Sequence, residues 1–233
     1  MSHPFAPFSR EHLLILLTGF TGIAVVLLAG RRGGKLEAVV TPFLAWLNLA
    51  AWPISLVAAW LHGGSFELEN VLPFHLCDLA AFTAGIALLT RRPLICSLTY
   101  FWGLAGTIQG LVTPAIRETG PIFVSFFLQH FAIVAAALYL PLVKRWRPDR
   151  PLVRAVGEVF AWSVAYLVFA MAVNAIAGSN FAYASHPPEN PSLLDHLGPW
   201  PWYLASMLGI AIVLYSLLAL PFARRQPPRA TKG

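Results

Sequence analysis

Seven long apolar segments divide the chain, and short polar segments separate them. The apolar segments are residues 13–30, 38–61, 72–90, 94–112, 121–143, 152–176 and 200–222. Each is close to the roughly 20 residues that a helix needs to cross the ~30 Å hydrocarbon core of a bilayer. The pattern therefore predicts an all-α, polytopic membrane bundle of about seven transmembrane helices.

The basic residues are distributed unevenly among the polar segments. Fourteen of the sixteen Lys and Arg residues follow the first, third, fifth and seventh apolar segments, and the exceptions are Arg10 and Arg117. Because positively charged loops resist translocation, the segments that carry the fourteen should be cytoplasmic. We therefore expect a multi-pass protein of the cell (plasma) membrane with its N-terminus outside and its C-terminus in the cytoplasm.

Composition and charge narrow the class of protein further. Hydrophobic residues make up 58% of the chain and charged residues 11%, whereas a soluble domain has about 25% charged residues. The net charge of +6 comes from short clusters beside the predicted helices, which is typical of topology determinants that attract anionic lipid. We expect no nucleic-acid partner, one transmembrane domain over residues 1–223, and a disordered basic cytoplasmic tail over residues 224–233.

Polar side chains within and beside the apolar segments gather toward the predicted outer half of the membrane. Such groups are costly in hydrocarbon and mark a partner, a water-filled cavity or a functional site. The polar set comprises His75, Cys77, Asp78, Gln109, Gln129, His130, Asn174, Asn180 and Tyr183. We expect six of them to line one cavity that opens to the outer half: His75, Cys77, Asp78, Gln109, His130 and Asn174.

Helical geometry limits the chemistry of the first three of these residues. His75 and Asp78 are three residues apart, so on a regular helix they share a face and can form a hydrogen bond. Cys77 points about 200° away from His75, so a base for its thiol should come from another helix, and His130 is the candidate. On regular helices the depths of Cys77 and His130 should differ by about two turns.

Packing offers a competing interpretation of the same residues. A buried cysteine usually behaves as a small apolar residue, and intramembrane His and Asn residues commonly form interhelical hydrogen bonds. We interpret Asn48 in this second way, and we interpret the Gly106–Gly110 spacing as a helix-packing signal. The two cysteines form no CxxC or Cys/His framework, and we expect no metal and no cofactor.

Several motifs resemble those of the YwaF-like integral membrane proteins. Residues 72–78 (LPFHLCD) resemble the LPLHLCD signature of that family, and residues 106–114 (GTIQGLVTP) resemble its G-x-x-Q-x-x-x-TP segment. Gln129-His130 matches the histidine of the following helix. Residues 174–183 and 193–203 are similar to the N-x-x-x-G-x-N-[YF]-x-Y and LLGPWPWY stretches. The resemblance therefore covers about residues 72–203, in the same order along the chain.

The resemblance implies an activity and roles for these residues. Eukaryotic relatives include a multi-span phospholipid acyltransferase or transacylase that moves fatty acyl chains onto lysophospholipids through a cysteine at the HLCD position. Carried over, this makes Cys77 the nucleophile, with base or orienting roles for His75, Asp78 and His130. Phospholipid and lysophospholipid would be the substrates. The residues expected to contact them are Gln109, Asn174, Asn180 and Tyr183, with Gln109, Asn174 or Asn180 as a donor to the oxyanion.

A non-enzymatic carrier or sensor is the alternative function. In this hypothesis His75, Asp78 and His130 bind a lipid or small molecule or relay a proton, as intramembrane ionisable residues commonly do. A transporter should have polar residues in both membrane halves for access from both sides. The inner half of this chain has few apart from its basic loops, so the sequence favours a site open to one face.

Cysteine labelling of intact cells tests the predicted orientation. In a Cys77→Ser, Cys96→Ser background, Ser2→Cys and Glu69→Cys should react with a membrane-impermeant maleimide, because both positions should face outward. Arg147→Cys should react only after the cells are permeabilised. Labelling at position 147 in intact cells would contradict the orientation.

Overall fold

Seven long helices follow the seven apolar segments in a computed structural model that describes residues 5–63, 68–114, 116, 120–148, 151–188 and 192–223. They are α1 (Arg10–Arg31), α2 (Gly34–Leu61), α3 (Leu76–Thr90), α4 (Pro93–Val112), α5 (Pro121–Leu142), α6 (Leu152–Ala177) and α7 (Trp202–Ala223). Six are long and apolar enough to cross a membrane, and α3 is shorter, at 15 residues. The described residues form no strand, so the predicted all-α polytopic membrane bundle is confirmed. The tail predicted to be disordered, residues 224–233, lies outside the described residues.

The third helix begins four residues later than the hydrophobic pattern predicts. Residues 72–75 are not helical, and α3 begins at Leu76 with His75 as its N-cap in extended geometry. The cause is Pro73, which lacks an N–H and disfavours helical geometry in the residue before it. The prediction that His75 shares a helical face with Asp78 is therefore wrong, because His75 lies outside the helix.

Side chains of two neighbouring helices stabilise the backbone on either side of this proline. Trp52 Nε1 of α2 donates to the carbonyl of Val71 at 3.1 Å. The hydroxyl of Tyr166 in α6 donates to the carbonyl of Phe74 at 3.0 Å. A buried carbonyl without a partner would be costly in a membrane, so these two contacts allow a non-helical segment to precede α3.

The fourth helix contains a π-helical turn where the sequence predicts a regular helix. Trp102–Gly106 is π-helical, between α-helical Pro93–Phe101 and Ile108–Val112. The carbonyl of Trp102 accepts from both the backbone N–H (3.0 Å) and the hydroxyl (3.3 Å) of Thr107. Glycine weakens an α-helix, and this turn contains two glycines. Such turns often occur at functional sites.

The ends of the bundle sort the loops as the charge pattern predicts. After α5, Lys144 forms an ion pair with Glu37 of α2, and Arg91 after α3 donates to the carbonyl of Lys144 at 2.9 Å. At the opposite end Glu69 accepts a hydrogen bond from the backbone N–H of Asn180. Loops predicted to be cytoplasmic thus meet one another, and so do loops predicted to be outside. The identity of the cytoplasmic side stays a prediction.

The core of the bundle lies where α2, α3, α4 and α5 meet. Small residues are fully buried at the contact of α2 with α3, among them Ala45, Ala80 and Ala84. Asn48 of α2 donates to the carbonyl of Ala132 in α5 at 3.1 Å, which confirms its interpretation as an interhelical contact. Helices α6 and α7 pack against each other and join this core mainly through α4.

Gly85 provides a stability test of this core. A Cβ at Gly85 would lie 2.8 Å from the carbonyl oxygen of Ala45, a backbone atom that cannot turn aside. We expect Gly85→Ala to lower the free energy of unfolding by about 1–3 kcal/mol, measured as a lower Tm in detergent. Gly157→Ala is the matched control, since nothing lies within 4 Å of its Cβ position. Equal Tm values for the two variants would contradict the close approach of α2 to α3.

Candidate functional site

Cys77 lies in the first turn of α3, at its second helical residue. Its side chain is half-buried, and it belongs to the first turn of α3, where the backbone N–H groups have no carbonyl within the helix to donate to. Free N–H groups at a helix N-terminus carry partial positive charge. The late start of α3 therefore places this sulfur at the partially positive N-terminus of a helix, an environment that a cysteine in the middle of a helix would lack.

Asp78 finds its side-chain partner on a different helix from the one predicted. Gln129 Nε2 of α5 donates to Asp78 Oδ1 at 2.8 Å, and the exposed fractions of the two residues are 6% and 9%. The sequence analysis paired Asp78 with His75, whose backbone carbonyl instead accepts from the N–H of Asp78 at 3.0 Å. The sequence predicts Gln129 as a member of the polar set but not as a partner of Asp78. Only the register between α3 and α5 brings the two side chains together.

The same hydrogen bond corrects the predicted depths of the cysteine and the histidine. Regular helices would separate Cys77 and His130 by about two turns. Asp78 and Gln129 are in direct contact, and they are the sequence neighbours of Cys77 and His130. Residues 72–75 are not helical, so α3 begins at Leu76 and not at residue 72. Cys77 and His130 therefore lie at the same level of the bundle.

His130 is held in one orientation by α5 itself. Its Nδ1 lies 2.7 Å from the carbonyl oxygen of Phe126, and its ring packs against the Phe126 ring with centroids 4.1 Å apart. A carbonyl only accepts, so this contact assigns the proton to Nδ1 and leaves Nε2 as an acceptor. The imidazole is buried, and its Nε2 edge faces Gly110 of α4. This arrangement provides a fixed proton acceptor.

His75 and Tyr183 lie beside this group, next to the loop that follows α6. The ring of His75 contacts the edge of Phe181 at a centroid distance of 5.1 Å and lies 6.3 Å from the ring of Tyr183. Burial raises the pKa of Tyr183, and neighbouring Cys77 and Glu69 raise it further. Tyr183 is thus a protonated hydroxyl within electrostatic range of the thiol.

Asn174 stabilises the loop that carries these aromatic residues. Its Oδ1 accepts from the backbone N–H of Phe181 at 2.8 Å and from the hydroxyl of Ser179 at 3.0 Å. Its Nδ2 donates to the carbonyl of Phe181 at 3.0 Å. The resemblance implies that Asn174 contacts substrate. In the structure its amide is instead hydrogen-bonded to Phe181, whose ring packs against His75.

Asn180 has a similar place in the next part of the loop. Its Oδ1 accepts from the backbone N–H groups of Ser185 (3.0 Å) and His186 (3.2 Å), and its Nδ2 donates to the carbonyl of His186 at 2.9 Å. The backbone N–H of Asn180 donates to Glu69, which lies in the short helical turn Leu68–Val71 between α2 and α3. Asn174 and Asn180 together therefore fix the position of Tyr183.

Gln109 stands apart from this group, whereas Tyr166 joins it. Gln109 is exposed, and its Nε2 donates to the hydroxyl of Thr113, the C-cap residue of α4, at 2.7 Å. The hydroxyl of Tyr166 in α6 donates to the carbonyl of Phe74, the residue that precedes His75. The sequence indicates Tyr166 only as a tyrosine in the middle of an apolar segment. Because apolar helices contain many tyrosines, this feature does not predict a site residue.

The structure therefore gathers most of the predicted residues at one end of the bundle. Cys77, Asp78 and His130 lie at one level, with His75 and Tyr183 beside them and Asn174 supporting the loop. The part of the chain that the structure describes contains no group of three or more His, Cys, Asp or Glu residues that could hold a metal ion.

These features define a multi-pass helical membrane protein with a buried polar group near one end of the bundle. A family model matches residues 7–219, and the chain belongs to the TMEM164 family. The chain is 27% identical over 178 residues to a protein of Treponema pallidum (strain Nichols) described as an uncharacterized protein. That match covers 76% of this chain and 71% of the relative. No solved structure matches the chain.

The loop network can be tested at Asn174. We expect Asn174→Ala to release residues 178–186, because each buried group left without a partner costs about 1–3 kcal/mol. Amide hydrogen exchange should become faster in this segment while the core helices keep their protection. Ser216→Ala, which removes an exposed hydroxyl on α7, is the control. Unchanged exchange in the Asn174 variant would contradict the supporting role.

Proposed function

We propose that the protein is a membrane-embedded lipid acyltransferase or transacylase that uses Cys77 as its nucleophile. The observation that supports this most is the Asp78–Gln129 hydrogen bond, which sets Cys77 and His130 at the same level. An adjacent base that a third group holds in orientation is one common means of activating a thiol nucleophile. His130 is such a base, because the hydrogen bond of its Nδ1 to the carbonyl of Phe126 fixes the orientation of the imidazole. The resemblance of residues 72–78 to the LPLHLCD signature of YwaF-like proteins supports the same assignment.

In the first half of the proposed reaction, the sulfur of Cys77 attacks the ester carbonyl of a phospholipid. His130 Nε2 takes the thiol proton as the bond between sulfur and carbon forms. The bond between the carbonyl carbon and the glycerol oxygen then breaks, and His130 returns the proton to that oxygen. The products are a thioester on Cys77 and a lysophospholipid.

In the second half, the hydroxyl of a different lysophospholipid attacks the thioester. His130 Nε2 takes the hydroxyl proton while the new ester bond forms. The bond between carbon and sulfur breaks, and the proton returns to Cys77. The sequence is balanced and needs no cofactor, since a chain leaves one ester and enters another.

The remaining residues of the group have supporting roles in this proposal. The hydrogen bond from Gln129 to Asp78 fixes the position of the first turn of α3. The backbone N–H of Asp78 also donates to the carbonyl of His75, which keeps His75 next to this turn. The amides of Asn174 and Asn180 are engaged by the loop, so they orient Tyr183 and do not serve the oxyanion. The N–H groups of the first turn of α3 are then the donors nearest to the carbonyl under attack.

The charge pattern gives this activity a location. With the N-terminus outside, the site lies in the outer half of the plasma membrane, and phospholipid and lysophospholipid reach it from that leaflet. Anionic lipid associates with the basic loops at the cytoplasmic end. The pairing of Lys144 with Glu37 and of Arg91 with the carbonyl of Lys144 brings two of these loops together beside the first turn of α2.

A carrier or sensor remains the second candidate because of the environment of Asp78. This carboxylate is buried next to a neutral amide rather than a cation. Buried carboxylates in membranes are typical of proton relays and of sites for polar ligands. In this case His75, Asp78 and His130 would bind the ligand, and Cys77 would be a packing residue.

Replacement of the cysteine separates the two functions. We expect Cys77→Ser to reduce acyl exchange at least about 100-fold, because a hydroxyl is a much poorer nucleophile than a thiol without strong base activation. The assay measures transfer of labelled acyl chains between phospholipid and lysophospholipid in liposomes. A thioester that hydroxylamine cleaves should form on the wild type and be absent from the variant.

Cys96→Ser is the matched control for this experiment. Cys96 is fully buried in α4 near its first turn, at the other end of the bundle from Cys77. The control should keep its activity, and both variants should keep the helical content of the wild type. Normal turnover by Cys77→Ser, or the absence of transfer by the wild type, would favour the carrier or sensor.

A further inference from the structure

Helix α4 approaches His130 closely at Gly110, where only a residue without a side chain fits. An ideal Cβ built at Gly110 would lie 2.5 Å from His130 Nε2 and 2.6 Å from His130 Cδ2. Real Cβ contacts below 3.0 Å are essentially absent from proteins. The edge of the imidazole that can accept a proton is thus the edge that any side chain at position 110 would strike.

The imidazole cannot move aside without losing its orientation. Its Nδ1 is bonded to the carbonyl of Phe126 at 2.7 Å, and its ring lies 4.1 Å from the Phe126 ring. His130 is also 95% buried, with an exposed fraction of 5%. Rotation away from a methyl group at position 110 would stretch the Nδ1 hydrogen bond and turn Nε2 away from its present direction.

The other glycines of α4 do not have this relation to a polar group. A Cβ at Gly106 would meet only the methyl end of Leu76, at 3.0 Å, and this side chain can move. A Cβ at Gly103 would also be too close to its neighbours, but these are apolar atoms of α5, Ala137 Cβ at 2.9 Å and Ile133 Cγ2 at 3.2 Å. Gly106 and Gly110 have the spacing of a helix-packing motif, but Gly110 faces an imidazole and not a helix backbone.

We propose that Gly110 is a positioning residue for the base His130. The absence of a side chain keeps Nε2 in its orientation and leaves room beside it for the reacting hydroxyl or thiol. This inference rests on the proposed acyl transfer, in which Nε2 receives and returns the proton. A larger residue at position 110 should therefore impair the chemical step more than the binding of lipid.

Kinetics of Gly110→Ala test the proposal. We expect kcat for acyl exchange to fall about 100-fold, the usual contribution of a general base, with little change in KM. Gly106→Ala, on the same helix, and Gly209→Ala, whose Cβ would meet nothing within 4 Å, should keep wild-type kcat. Thioester formation on Cys77 should slow in Gly110→Ala to the same extent as kcat.

A double variant separates positioning from packing. Gly110→Ala should lower the Tm because of the clash, and Gly110→Ala with His130→Ala should recover it, since the imidazole is then absent. The double variant should be no less active than His130→Ala alone. If the two losses of activity instead multiply, Gly110 acts in packing and the proposal is wrong.

The outcomes also distinguish this inference from the proposed function. If the wild type transfers acyl chains and Gly110→Ala retains wild-type kcat, only the role of Gly110 is overturned. If the wild type transfers no acyl chain, both fail, and recovery of the Tm in the double variant would then identify the contact as packing alone.

Discussion

The hydrogen bond between Asp78 and Gln129 is the contact on which the arrangement of the site depends. A carboxylate within an apolar bundle is costly unless it has a partner, and the partner here comes from α5 at 2.8 Å. Because both residues are buried, this contact fixes the register of α3 against α5. Loss of either partner would leave a buried polar group unsatisfied, at a cost of about 1–3 kcal/mol. The same register brings the first turn of α3, with Cys77, to the level of His130.

The non-helical segment before α3 makes this register possible. Pro73 delays the start of the helix, and side chains of α2 and α6 bind the carbonyls on either side of it. The loop after α6 is fixed in the same manner, since Asn174 binds both backbone groups of Phe181. The site is thus held by polar contacts between elements that are distant in sequence. In hydrocarbon such contacts must be satisfied within the protein.

Small residues allow the helices to approach closely, and the group that they contact differs from one position to another. At Gly85 it brings α3 against the backbone of α2. At Gly110 it brings α4 against the imidazole of His130. The opposite end of the bundle has a different kind of contact, an ion pair that joins Lys144, in the loop after α5, to Glu37 in the first turn of α2. Tight apolar packing with a few specific polar contacts therefore describes the whole bundle.

The sequence by itself determined the seven helical segments, their alternation between two ends and the interhelical role of Asn48. Hydrophobic length, charge asymmetry and the cost of buried amides are local properties that a chain displays before it folds. The shared membrane half of the polar residues predicted one group that contains His75, Cys77, Asp78 and His130. It did not predict which residues these side chains contact. The pairing of Asp78 with Gln129, the engagement of Asn174 by the loop and the exposure of Gln109 depend on the rotation and register of one helix against another. Those quantities are set by packing between residues far apart in sequence, and only the tertiary structure decided them.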